Sequence, residues 1–349
     1  MDQAISNSET VRDPIATAQL HAALRFATGI TASFVLCEYM QWTPTCLAPL
    51  FFAVLVTSLP GPPPLKIGVA LVVLMTAAAL TAFLVTTLLR FSPAVMVGVI
   101  GIIVFFALGA LANQRAQLPA MLLLIAMAII PVVGLLAPAH ADELPRALVR
   151  GMAIAVVTIW CVYILWPKVL PKAAQPARPP IESPVKMALA GTLILLPLMM
   201  VYMMFGWADA LPVLISTVLL VINFDPREGA TQAMYRNVGS LVGGVVGLVA
   251  FMLLSIMPSL VTLALITFVI GLEIGPRIEK AGLRGPLVLQ AFNTGMVIFG
   301  TAIASPNDSS GIWMTRLFQF TLAGFFAVAM MYLVFRREWF AAKTQGNAR

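Results

Sequence analysis

Charge is scarce in this chain. Only 10% of its 349 residues are Asp, Glu, Lys or Arg, where soluble domains carry about 25%. The composition is 60% hydrophobic and mean hydropathy is +0.98, more apolar surface than one water-soluble core can hide. Histidine is nearly absent: His21 and His140 are the two in the chain, far apart, and no Ser, His and acid arrangement emerges, so the chain does not read as an enzyme. Three cysteines, Cys37, Cys46 and Cys161, lie in apolar runs without C-x-x-C spacing. That excludes a zinc or thiol-redox motif. Cys37 and Cys46 fall near one membrane face, where buried packing is favoured over a bridge. No G-x-x-x-x-G-K-[ST] appears, so ATP hydrolysis by that route is excluded, and neither metal nor cofactor is implied. The first 19 residues lack a basic region followed by an apolar core and do not read as a cleavable signal.

What the chain does have is a series of charge-free runs. A helix needs about 20 apolar residues to cross a bilayer. The first half reads as spans 22–36, 44–58, 67–89, 93–112, 118–137 and 151–166. The second reads as 185–205, 210–223, 237–257, 260–275, 287–304 and 312–335. No charge appears between Asn237 and Leu272, a run too long for one crossing, and Pro258 and Ser259 supply the turn that divides it. The net charge of +7 does not indicate nucleic acid, because the basic residues sit at span ends rather than in one patch. With the N-terminus inside, 17 of the 21 basic residues fall on the inner side. Arg90, Arg146 and Arg150 fall outside, and Arg316 lies within the last span. That asymmetry sets the orientation and makes both termini cytoplasmic.

The halves repeat. Trp42 pairs with Trp207 at an offset of 165, Pro60 with Pro226 at 166, Pro119 with Pro286 at 167, Pro138 with Pro306 at 168 and Arg150 with Arg316 at 166. An even number of spans per half makes the repeats parallel, related about the membrane normal. The expected fold is therefore an all-α polytopic membrane protein of about twelve helices in two six-helix repeats. Residues 1–20 form a cytoplasmic segment, 21–167 the first repeat, 168–184 a proline-rich linker, 185–337 the second repeat and 338–349 a cytoplasmic tail.

Polar residues inside such a chain are costly and mark candidate sites. Arg150 and Arg316 each open the last span of a half, with Gln319 one turn after Arg316. They either snorkel to the outer interface or attract an anion at a central cavity. Gln290, Asn293 and Thr294 share a face of the eleventh span, as a cavity wall or as interhelical glue. Glu273 and Glu38 are candidate proton carriers. Asp225, Arg227 and Arg236 could form a cytoplasmic gate, with a solvated loop as the plainer reading. Gly239, Gly243 and Gly247, spaced by four on the ninth span, read as a face for close helix packing, with a ligand against bare backbone as the lesser alternative.

Two stretches carry a resemblance. "RNVGSLVGGVVG" from Arg236 resembles the R-x-x-G-[ST]-x-x-G signature of the fusaric acid resistance and aromatic acid exporter group. "RGMAIAVVTIWCVYILWP" from Arg150 resembles its sixth helix, which starts with Arg and ends in Trp-Pro. Trp42 and Trp207 fit the starts of its short second helices. Larger members carry a soluble cytoplasmic domain between the halves. Here a linker stands in its place, as in the compact branch described as a domain of unknown function. The resemblance implies a multi-pass efflux transporter of the bacterial inner membrane. It would export small anionic aromatic compounds, driven by an ion gradient and paired with a periplasmic adaptor of the membrane-fusion type. Its partners would be the lipid bilayer, the substrate, that adaptor and a second copy of the chain as a homo-oligomer. The rival readings are an anion-selective channel and a non-transporting scaffold for an adaptor.

Overall fold

The computed structural model describes residues 2–113, 116–136, 141–169, 184–205, 229–280 and 285–304. Among them the chain is all-helical. The helices are α1 (Asp2–Tyr39), α2 (Leu47–Ser58), α3 (Leu65–Leu89), α4 (Pro93–Ala112), α5 (Gln117–Leu136), α6 (Glu143–Leu165), α7 (Pro184–Phe205), α8 (Gly229–Ile256), α9 (Leu260–Lys280) and α10 (Gly285–Ala304). Eight contain segments long and apolar enough to cross a membrane, and α2 and α8 add shorter apolar segments. Outward-facing Val73, Leu80 and Leu84 on α3, Ile102 and Phe106 on α4, and Val261, Leu265 and Val269 on α9 are exposed. So continuous an apolar exterior needs lipid against it, and the protein is a multi-pass membrane protein. These ten helices match ten of the twelve expected spans. Spans 210–223 and 312–335 lie outside the described residues, as does most of the linker.

Boundaries differ where polar residues were taken as breaks. The sixth helix begins at Glu143, not at residue 151. Glu143 sits in its first turn, where a carboxylate meets the positive end of the helix dipole, and Asp142 pairs with Arg146 at 2.7 Å. Arg150 is therefore two turns inside α6 and does not open it. α9 likewise runs past residue 275 through Pro276 to Lys280, and α1 continues back through the polar segment to Asp2. The Pro258 and Ser259 turn is where the sequence placed it: Ser259 Oγ accepts the Thr262 N–H at 3.1 Å, capping α9.

With no water in the bilayer core, hydroxyls must find partners at home. Ser33, Thr86, Thr192 and Thr267 each donate to the carbonyl one turn back at 2.7–2.8 Å. Packing then relies on small residues and shape. α8 lies along α10, α1 along α9, α3 along α5, α4 along α7 and α2 along α6. The first six helices and the last three thus meet along α1 and α2 against α9 and α10. In that seam Phe26 meets Phe292 edge-to-face at 5.3 Å and Phe34 meets Phe299 at 5.6 Å. Gly271 lies so close to Ala27 that an added Cβ would stand 2.7 Å from its Cα.

Candidate functional site

A cavity of about 40 Å³ lies beside the seam, where α10 meets the first six helices. Its walls come from α2 (Leu47, Phe51, Leu55), α3 (Leu71), α5 (Leu118, Leu122, Ile125), α6 (Met152) and α10 (Asn293, Val297), among others. Its lining runs from Leu47 and Leu118, at the starts of α2 and α5, to Met152 and Asn293 well inside α6 and α10. Among the described residues, every lining side chain is apolar except Asn293. Asn293 is 5% exposed, and its Oδ1 is buried with no hydrogen-bond partner. A buried amide oxygen left unpaired costs about 1–3 kcal/mol, so this group stands out against an otherwise dry wall.

The three polar residues of the eleventh span part company. All are buried, but Thr294 Oγ1 donates to the Gln290 carbonyl at 3.0 Å, within its own helix. Of the three, only Asn293 lines the cavity.

Arg150 stands elsewhere. Its guanidinium sits 4.9 Å from the centroid of the Trp42 ring and donates to the Thr43 carbonyl at 3.3 Å. Both contacts lie in the α1–α2 connection, and Arg150 is not a lining residue of the cavity. Glu38 is at the same end. The Thr45 side chain is next to its carboxyl, while its Oε2 is buried without a partner. Cys37 and Cys46 are both free and buried there. Glu273 is exposed on α9 and pairs with Arg277 one turn on, so it neither lines the cavity nor carries an isolated charge. Asp225, Arg227, Arg316 and Gln319 lie outside the described residues, as does the side chain of Arg236.

The glycine face does what its spacing promised. Gly239, Gly243 and Gly247 lie against Leu287, Ala291 and Gly295 of α10. A Cβ on Gly243 would overlap the Ala291 carbonyl oxygen, and one on Gly247 the Gly295 carbonyl oxygen. This holds the helix bearing Asn293 directly against α8, with no room for a ligand between the backbones at those two positions.

One residue that the sequence reading treated only as an inner charge proves central to the opposite end of the bundle. Arg25 is 4% exposed. Its Nη1 donates to the carbonyls of Trp166 at 2.8 Å and Lys168 at 2.6 Å, and its guanidinium is 4.7 Å from the centroid of the Tyr163 ring. His21 packs edge-to-face on Trp166 at 5.6 Å and accepts the Lys168 N–H at Nδ1, 3.3 Å away. The last carbonyls of a helix lack intrahelical donors and carry its negative dipole end, and a guanidinium serves both needs. The signal available in sequence was the pairing of an Arg inside an apolar run with a Trp-Pro helix end, which puts unsatisfied carbonyls at a known place.

Against known families, the chain matches one described as a protein of unknown function, DUF2955, over residues 22–162. That stretch is less than half of the chain and takes in α1 from Ala22 to within a turn of the end of α6. The family's description carries no link to fusaric acid resistance, which rests on the motif resemblance alone. No curated protein and no solved structure matches the chain.

Proposed function

We propose that this protein is an efflux transporter of the bacterial inner membrane. It exports small aromatic acids, anionic in bulk water, along an ion gradient, in partnership with a periplasmic adaptor. Its body would be two parallel six-helix repeats with both termini cytoplasmic. Two observations support the repeat. The family match ends where the first six-helix unit ends, and the third and fifth helices of that unit pack together as α8 and α10 do.

The observation that carries the transport reading is the cavity where α10 meets the first six helices, whose described lining is apolar apart from one unpartnered amide. Apolar walls suit a ring, and a single polar group fixes its orientation, which is the usual composition of a small-molecule site. The cavity's 40 Å³ is well below the ~150 Å³ at which an engineered apolar cavity accepts benzene. The conformation described is thus closed at the site, and loading requires α2 or α5 to move away from α10. A transporter has to make such a movement in any case.

The test is transport of radiolabelled 4-hydroxybenzoate by the full chain in liposomes under an imposed proton gradient. Uphill accumulation that an uncoupler abolishes is expected. Asn293→Leu should weaken apparent affinity about 5- to 10-fold, the worth of one hydrogen bond of about 1–1.5 kcal/mol. Downhill flux alone would make the protein a channel, and no flux would leave it a scaffold.

A further inference from the structure

Resting on the reading of the cavity as the substrate site, we infer that the first half of α5, hinged at Pro131, is the wall that moves to load it. α5 supplies Leu118, Met121, Leu122 and Ile125 to the cavity, all of them before Pro131. Proline has no N–H, so the Met127 carbonyl loses its usual intrahelical donor, and the proline ring crowds that carbonyl. Sharp bends in helices fall at such places. Of the five helices that contribute the described lining, α5 alone carries a proline beyond its first turn. Pro49 in α2, Pro145 in α6 and Pro286 in α10 each lie within the first turn, where an N–H has no intrahelical partner to lose.

The two halves of α5 are held differently. From Leu124 to Gly134 every residue is buried, and an added Cβ on Gly134 would stand 2.7 Å from Thr86 Cγ2 of α3. Toward the start of the helix, Gln117 is exposed and Leu118, Met121 and Leu123 are only partly buried. The proline thus joins an anchored half to a looser one. The other candidate wall, α2, is pinned along its length. The Phe52 ring fills the space that a side chain on Gly29 of α1 would need. Leu47, Ala48 and Phe51 stand 3.2–3.4 Å from where a Cβ on Gly151 of α6 would be, and Cys46, which caps α2, closes in the same way on Gly300 of α10. Moving α2 breaks these contacts, and swinging the first half of α5 breaks none of them. The lever is long enough, because residues 117–131 span about 21 Å of helix axis. A change of about 20° at the proline would carry Gln117 about 7 Å and Leu122 about 5 Å. That exceeds the ~3.5–4 Å that one layer of carbon atoms needs, so a flat ring gains room beside Asn293.

The experiment measures distances between spin labels on the full chain in liposomes, with the exposed Cys161 replaced by serine. One pair, Gln117→Cys with Arg277→Cys, runs from the start of α5 to the exposed face of α9. The control, Ser58→Cys with Arg277→Cys, starts from the end of α2. Saturating 4-hydroxybenzoate should lengthen the first distance by about 5 Å and leave the second unchanged. Pro131→Ala restores an N–H for the Met127 carbonyl, which bending would then have to break. It should weaken the apparent affinity for 4-hydroxybenzoate about fivefold, because binding draws on the bent state, with a melting temperature no lower than the parent's. A Ser58 label that moves while the Gln117 label stays would overturn the inference, and so would a Pro131→Ala protein that binds as the parent does. The parent's label pairs decide the matter even where Pro131→Ala does not fold. If the parent accumulates 4-hydroxybenzoate while the Gln117 distance stays fixed, the exporter reading stands and the hinge alone falls. Absent transport together with fixed distances would sink both.

Discussion

Gly243→Ala is the sharpest probe of how this bundle is held together, because its sign is set by two opposing effects of known size. Replacing a mid-helix glycine with alanine should help, since alanine is the better helix former by up to about 1 kcal/mol. At Gly243 the added carbon would overlap the Ala291 carbonyl oxygen and stand 2.7 Å from its carbon and 3.0 Å from its Cα, where ordinary contact begins near 3.4 Å. The obstacle is backbone, so no rotamer change relieves it, and α8 must withdraw from α10 by more than about 1 Å to clear the oxygen. Overpacking of this kind costs about 1–3 kcal/mol, and because the obstacle is rigid backbone the upper part of that range applies, leaving a net loss of up to about 2 kcal/mol. Three companions calibrate the series. Gly247→Ala meets the Gly295 backbone and should also lose stability. Gly239→Ala finds its nearest neighbour, the Leu287 oxygen, at 3.5 Å and should be neutral. Gly98→Ala on α4 has nothing within 4 Å and should gain slightly. Thermal unfolding of the purified proteins in one detergent reads all four. A flat series, or one in which Gly239 is the worst position, would refute the account of the α8–α10 contact. Ala291→Gly should not rescue Gly243→Ala, because the methyl group of Ala291 is not what obstructs.

Arg25→Leu should lower stability by about 3 kcal/mol, since it removes charge-assisted hydrogen bonds from the carbonyl capping α6 and from one just beyond it, and Arg25→Lys should recover only part of that because one ammonium cannot reproduce the guanidinium's stacking on Tyr163. Arg150→Gln removes a cation–π contact and one hydrogen bond and should cost about 1–2 kcal/mol. In transport assays at matched abundance it should leave substrate affinity within twofold of the parent, and a tenfold loss would put the guanidinium back at the substrate. Single cysteines at Gln175 and Gln345, in a chain lacking Cys37, Cys46 and Cys161, should resist impermeant thiol reagents in intact cells. Ready labelling at either place would reverse the orientation drawn from the basic residues.

The sequence was most legible where one physical rule dominates. Charge-free length marked the spans, and i, i+4 glycines marked the α8 face that the structure presses against α10. It was least legible where charge was taken as an end of structure. Arg146 and Glu273 read as boundaries or as isolated charges, yet each has an opposite charge four residues away, Asp142 and Arg277, and each continues its helix. Spacing also grouped Gln290, Asn293 and Thr294 correctly on one helix but could not assign their work. Thr294 turns inward to its own backbone, and only tertiary packing decides that Asn293 is the residue facing the cavity. Arg25 was hidden for the opposite reason. Its partners are carbonyls 141 and 143 residues away, and no local pattern announces a bond to backbone.

The close crossing of α1 and α9 has a consequence for how the two halves belong together. Gly271 lets α9 approach the Ala27 backbone and Gly275 makes room for the Phe26 side chain, while Arg25, one residue before Phe26 on α1, is bonded to the segment that follows α6. The first helix is thus a rib held on one side by α9 and α10 and on the other by the end of α6. Two polypeptides made separately, one ending after Val169 and the other starting at Pro184, would have the same surfaces to find each other. Genes for two-part versions of such an assembly would need no new interface, only a stop and a start.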